Sequence, residues 1–237
     1  MMSEKTTWFI TGASRGLGLE FTRQLTSDPL NIVFASCRDP ESAINLSALK
    51  QSAKGDLNII KLDVTDEGTI KAAAETVALA LGDLGLDYLL NNAGVNPGLD
   101  KAFDFNVDNL MYSIQNNVVG PALIGQAFLP LLKKSNRRVL MNMTTGLASL
   151  GLDCGPKCCT YTISKTALNM LTYKQSVEEP GIIAIVVDPG WVKTKLGGEG
   201  AVLEPHESIT PMIEFFKQLT KEHSGKFFNY KGVPLPW

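Results

Sequence analysis

TTWFITGASRGLG, residues 6–18, joins an apolar run to a glycine-rich turn and leads into a segment that can wind as a helix. Glycine reaches positive φ at little cost and has no side chain, so such a turn lets backbone N–H groups approach a phosphate at the start of the helix. Gly12, Gly16 and Gly18 follow a G-x3-G-x-G spacing, not the G-x-G-x-x-G of the common dinucleotide fingerprint. A purely structural strand-to-helix turn is the competing reading, and the rest of the chain has to decide between them.

Outward from this stretch, short β-rich runs alternate with helix-length spans: NIVFASC, LNIIKLD, LDYLLNN, RRVLMNM and GIIAIVVDPG, with KFFNY at 226–230 as a candidate seventh strand at the edge. Alternation of this kind predicts βαβ units and a parallel sheet. The runs are nearly continuous in Ile, Val, Leu and Phe, as expected of strands covered on both faces. The expected fold is therefore α/β: a single doubly wound Rossmann domain over residues 1–237, with a mostly parallel sheet of about seven strands and helices on both faces. In that architecture a ligand sits beyond the carboxyl ends of the strands, so the loops there are the place to look for chemistry.

Composition narrows the classes. The 237 residues are 44% hydrophobic and 19% charged, in keeping with one well-filled core, and the net charge of −2 gives no electrostatic reason to expect nucleic acid or an anionic membrane as partner. No stretch approaches the roughly 20 apolar residues of a membrane span, and MMSEKTT lacks a signal-peptide core, so a cytoplasmic protein is expected. Cys37, Cys154, Cys158 and Cys159 read as reduced thiols. C-x3-C-C offers no second ligand pair, and His206 and His223 are distant, so no metal is expected; with two histidines in all, a Ser-His-Asp or Cys-His system has almost no base.

Two features specify a cofactor and a reaction. NIVFASCRD ends in Cys37-Arg38, where enzymes that prefer NAD usually carry an acid. A guanidinium there grips a 2′-phosphate, and Arg15 in the glycine loop is a second candidate, which predicts NADP; Asp39 leaves a solvated Arg-Asp pair as the alternative. Further on, YTISK places Tyr161 and Lys165 at i and i+4, on one face of a helix. A phenol beside an ammonium and an oxidised nicotinamide is favoured as phenolate, so Tyr161 would exchange a proton with a carbonyl or alcohol oxygen.

TGASRGLG from Thr11, NNAG from Asn91, YTISK from Tyr161 and Pro189-Gly190 occur in order over residues 11–190, and with them the chain resembles the short-chain dehydrogenase/reductase family. RDP from Arg38, PGWVKT from Pro189 and FNYKGVPLPW from Phe228 resemble its C-factor-like and sniffer-like carbonyl reductases. The resemblance implies that Gly12, Ser14, Arg15, Gly16, Leu17 and Gly18 hold the cofactor, with Asp63 and Val64 at the adenine and Asn91, Ala93 and Gly94 beside the adenosine ribose. It implies that Lys165 holds the nicotinamide ribose, that Pro189, Gly190, Val192 and Thr194 meet the nicotinamide end, and that Asn117 supports Lys165 in a proton relay. The family's catalytic serine corresponds to Thr145 in NMTT, which keeps the hydroxyl and adds a methyl; Ser149 is the alternative. Asp188 stands where a neutral or His residue usually precedes Pro-Gly.

The implied activity is NADPH-dependent reduction of a small or medium apolar ketone or aldehyde, with a flap over about 191–211, in a monomer, homodimer or homotetramer. The competing readings are a cofactor-binding regulator or redox sensor, for which Thr145 and the cysteines speak, and an NAD-linked alcohol dehydrogenase, against which Arg38 speaks.

Overall fold

The computed structural model describes residues 5–237. Strands and helices alternate as β1 (Thr6–Ile10), α1 (Gly16–Leu25), β2 (Asn31–Cys37), α2 (Ile44–Ser52), β3 (Asp56–Lys61), α3 (Glu67–Leu81) and β4 (Tyr88–Asn91) in the first half. The second half runs α4 (Val107–Ile114), α5 (Gly120–Lys134), β5 (Val139–Met143), α6 (Cys159–Glu178), β6 (Ile183–Asp188), α7 (Pro205–Lys217) and β7 (Phe227–Asn229). The strands form one sheet in the order β3-β2-β1-β4-β5-β6-β7, and every pairing is parallel. The doubly wound α/β fold expected from the alternation is the fold observed, and KFFNY supplies its edge strand.

Successive side chains of a strand point to opposite faces, so the apolar runs feed two cores. Trp8, Ile10, Val33 and Ile185 pack with Phe21 of α1 and Phe216 of α7 on one face. Phe9, Phe34, Leu89 and Leu140 pack with Val77 of α3 and Phe128 of α5 on the other. Trp8 pairs in register with Tyr88 and stacks on it, ring centroids 3.8 Å apart. Among the described residues, no helix is long and apolar enough to cross a membrane.

Strand order reverses between β1 and β4, and the loops after these two strands define the switch point where such sheets open a crevice. They are laced together: the Thr11 hydroxyl accepts hydrogen bonds from the N–H groups of Asn92 and Ala93, each at 3.0 Å, and the Asn92 amide donates to the Thr11 carbonyl at 2.8 Å. Gly12 takes φ +68°, and a Cβ at Gly18 would lie 2.3 Å from the Gly12 carbonyl oxygen. Gly18 therefore serves close packing of α1 under the loop. Gly18→Ala is expected to destabilise the fold by about 2–3 kcal/mol, the cost of overpacking against unyielding backbone, measurable by urea unfolding.

One local feature is absent from the sequence reading. Residues 107–134 form one helical run in which Gln115–Val119 is a π-helical turn between α4 and α5. Insertions of this type shift the side chains that follow them around the helix axis and recur at functional sites. Here the turn contains the buried Asn116 and Asn117.

Candidate active site

A cleft of about 810 Å³ runs along the carboxyl ends of the strands. Gly12, Ser14, Arg15, Gly16 and Leu17 from the first loop line it, with Arg38 after β2, Asp63 and Val64 after β3, and Ala93 and Gly94 after β4. Tyr161 and Lys165 of α6, then Pro189 and Thr194, close the far end. With Thr144 after β5, the cleft brings together residues from six separate loops and α6.

Of the other expected residues, Gly18, Asn91, Asn117, Thr145, Gly190 and Val192 do not line the cleft. Gly18 underlies the glycine loop, and Asn91 is buried, its amide donating to the Asn142 side chain at 2.8 Å to tie β4 to β5. Val192 is buried and bridged to Leu203, and Gly190, at φ +76°, sits against Leu203 and Tyr230. Thr194 faces the glycine loop: a Cβ at Gly16 would be 3.5 Å from its methyl carbon. Lys193 N–H to Leu203 carbonyl (2.9 Å) and Ser208 hydroxyl to Pro189 carbonyl (2.7 Å) pin the segment that follows β6.

At the end of the cleft after β3, Asp63 accepts from the Thr65 N–H and hydroxyl, at 2.9 and 2.7 Å, which fixes its carboxylate at the mouth. Among the described residues, no carboxylate lies within ion-pair distance of Arg15 or Arg38. Asp39 instead accepts from the Glu41 N–H at 3.2 Å, so the Arg-Asp surface pair does not form. Two unneutralised guanidiniums on one cleft constitute an anion-binding end.

At the other end, polar residues in and just after β5 lock α6 in place. Asn142 donates to Thr172 at 2.7 Å, and Thr144 donates to Asn169 at 2.6 Å. This fixes Tyr161 and Lys165 relative to the chain leaving β5. Lys165 Nζ donates to the Met143 carbonyl at 2.8 Å and lies 5.9 Å from the Tyr161 ring centre. Asn117 donates to the Val95 carbonyl and the Ser164 hydroxyl, and accepts from the Val95 N–H, each at 2.9 Å. A Cβ at Gly94 would fall 3.3 Å from Lys165 Nζ and 3.4 Å from Asn117 Oδ1, so the glycine is what lets these groups converge.

Burial controls the titration of the pair. It pushes the Tyr161 phenol up, with nearby Asp188 acting in the same direction, and it brings the Lys165 ammonium down to about 7. The phenolate-favouring effect expected of Lys165 is thus outweighed in the chain without cofactor. Tyr161 is protonated at neutral pH, the form that donates. The Lys165 shift also predicts a stability profile. An unfolded lysine keeps its ordinary pKa, so between pH 7 and that value the unfolded chain binds more protons and stability rises with pH. Without cofactor, the melting temperature should climb from pH 7 to 9.5, with a shallower slope in Lys165→Met.

The loop after β5 distinguishes the two candidate hydroxyls. Thr145 accepts from the Leu147 N–H at 3.3 Å, which leaves its own proton to donate. Ser149 already donates to the Pro236 carbonyl at 2.7 Å and accepts from the N–H groups of Gly151 and Leu152, each at 3.2 Å. Its role is to hold the loop against the 234–237 segment. All four cysteines are free, no group of ligating side chains capable of holding a metal occurs among the described residues, and Cys154, Cys158 and Cys159 do not line the cleft. Thr11, Asn92, Asn116 and Tyr112 were not singled out from sequence. Thr11 and Asn92 lie inside the TGASRGLG and NNAG motifs, whereas Tyr112 comes from the last turn of α4 and Asn116 from the π turn that follows it.

Comparison with known proteins agrees with this geometry. The family model described as short chain dehydrogenase matches residues 6–201. The carbonyl reductase Sniffer of D. melanogaster superposes with a TM-score of 0.94 at 30% identity, over 99% of this chain and 100% of that one. An NADPH-bound carbonyl reductase from chicken fatty liver superposes with a TM-score of 0.91 at 34% identity, over the same 99% and 100%. C-signal of Myxococcus xanthus is 32% identical over 154 residues, 64% of this chain and 93% of that protein. A glycine loop at the switch point, a tyrosine and lysine one helical turn apart at the end of its cleft, and a family match spanning both make this chain an oxidoreductase of the short-chain dehydrogenase family.

Proposed function

We propose that the protein is an NADPH-dependent carbonyl reductase acting on a small or medium ketone or aldehyde. The observation that carries this reading is one cleft with two unpaired arginines at one end and the buried Tyr161-Lys165 pair at the other. The cleft suits the cofactor, since Gly12, Ser14, Arg15 and Gly16 line it at the switch point and Arg15 and Arg38 face it free of protein carboxylates. Gly12, Ser14, Gly16 and Leu17 cradle the pyrophosphate, Arg15 and Arg38 take the 2′-phosphate, and Asp63, Val64, Ala93 and Gly94 surround the adenosine. Gly18 and Asn91 shape that surface from behind, and Pro189, Gly190, Val192 and Thr194 frame the nicotinamide end.

The bound nicotinamide supplies the hydride. Tyr161 donates its proton to the substrate oxygen, and in the reverse direction its phenolate takes that proton back. Thr145 donates a hydrogen bond to the same oxygen as negative charge develops there. Lys165 binds the ribose and, once charged, favours the phenolate; Asn117 holds Gly94-Val95 and α6 in the arrangement that directs Lys165. Residues 191–211 act as the flap over the substrate. The NADPH-bound relative from chicken and the Sniffer carbonyl reductase support the reading by analogy.

The test is cofactor consumption with a panel of diketones, quinones and aromatic aldehydes, using NADPH and NADH in parallel. Turnover with NADPH on at least one carbonyl is expected. Tight cofactor binding without turnover on any of them would favour a cofactor-binding regulator instead.

A further inference from the structure

Asp188 is a largely buried carboxyl that the reaction above does not use. It ends β6, and β6 pairs with β5 up to Met143↔Val187, so the chain leaves the sheet at Thr144-Thr145-Gly146 and at Asp188-Pro189-Gly190 side by side. Asp188 Oδ1 accepts from the Gly190 N–H at 3.2 Å. Its Oδ2 faces Gly146, where a Cβ would be 3.3 Å away, immediately beside the Thr145 hydroxyl in the chain. Leu152 Cδ1 stands 4.0 Å from the same point, and Leu147 and Leu152 each remain 36% exposed.

The titratable groups coupled to this carboxyl are Tyr161 of α6 and Cys154 of the loop after β5, and neither is cationic. Among the described residues no lysine, arginine or histidine pairs with it. Burial accordingly pushes the carboxyl up, against the lowering effect of the Gly190 and Gly146 backbones. An ionised carboxylate offers about four lone-pair sites, more than these two backbone donors fill. An unpaired carboxyl in an apolar setting is costly by itself, and a cation arriving with the ligand offsets that cost.

We propose that Asp188 determines substrate specificity, receiving a protonated amine carried a few bonds from the reacting carbonyl while Leu147 and Leu152 contact the apolar remainder. The substrate class is then an amino ketone or amino aldehyde, an assignment that rests on the carbonyl reductase reading above.

A matched pair of ketones tests it: 3-(dimethylamino)propiophenone, cationic at neutral pH, against its neutral carbon isostere 4-methyl-1-phenylpentan-1-one. Turnover with NADPH is measured for the wild type and for Asp188→Asn, which keeps an acceptor for the Gly190 N–H but removes the charge. The wild type should prefer the cationic ketone by roughly ten-fold or more in kcat/KM, as expected for a charge-assisted hydrogen bond. Asp188→Asn should abolish that preference, chiefly through KM, and leave the neutral ketone within about two-fold. A purely structural role would lower both substrates equally and overturn the proposal, as would a wild type that shows no preference. Calorimetric binding of both ketones to the NADPH-loaded proteins separates the two readings. If neither ketone is reduced, the carbonyl reductase reading fails for this class, while a charge-dependent affinity lost in Asp188→Asn still supports the Asp188 assignment and equal affinities reject it.

Discussion

Tyr161→Phe is expected to lower kcat for carbonyl reduction by about 10²–10⁴, the range contributed by a positioned general acid. The affinity for NADPH should change by less than about two-fold, because the variant removes one hydroxyl from the reacting end and leaves every group proposed to hold the phosphates. The side chain is 8% exposed and phenylalanine fills the same space, so the fold should survive. The pH dependence follows from the direction of the phenol's shift. With its pKa raised by burial, Tyr161 stays protonated through the neutral range, so its own ionisation adds no pH dependence to the reduction there. The reverse reaction needs the phenolate and should accelerate as pH rises. Full activity in Tyr161→Phe would contradict the assignment.

The second large effect is expected at the opposite end of the cleft. Arg38→Ala should weaken NADPH binding by roughly ten- to a hundred-fold, the effect of losing charge-assisted bonds to a phosphate dianion, and leave NADH nearly unchanged. Arg15→Ala should act in the same direction, and the double variant should bind the two cofactors about equally. The reason is geometric: neither guanidinium is engaged by a protein carboxylate, so neither must break an ion pair to meet the ligand. Fluorescence titration of both cofactors measures it, and equal loss for NADPH and NADH would show that the arginines support the fold or the common part of the cofactor instead.

Much of this site is legible in the chain because its parts are local. A glycine turn, a strand ending in Cys37-Arg38, and Tyr161 and Lys165 one helical turn apart are each set within a few residues by backbone geometry. The parallel sheet is legible for a similar reason, since strands covered on both faces must be apolar at consecutive positions. Asn91 and Asn117 illustrate what does not reach that level. Both lie in or near recognisable motifs, yet Asn91 turns its amide into the interior toward Asn142, and Asn117 is placed by a π turn that no local pattern announces. In the sequence Thr145 holds the position of the family's serine and Ser149 is the alternative hydroxyl. They separate only when the 234–237 segment returns to occupy Ser149.

The sequence by itself determined the α/β order of elements, the glycine loop and the tyrosine-lysine pair, because each depends on residue type and short spacing. Only the tertiary structure decided which of these groups are desolvated. Lys165 loses its preference for the charged form, and Asp188 stands without a cation, because the β5 and β6 loops and α6 close around them. Solvation and charge environment are sums over everything nearby in space, and nearly all of those neighbours are distant in the chain.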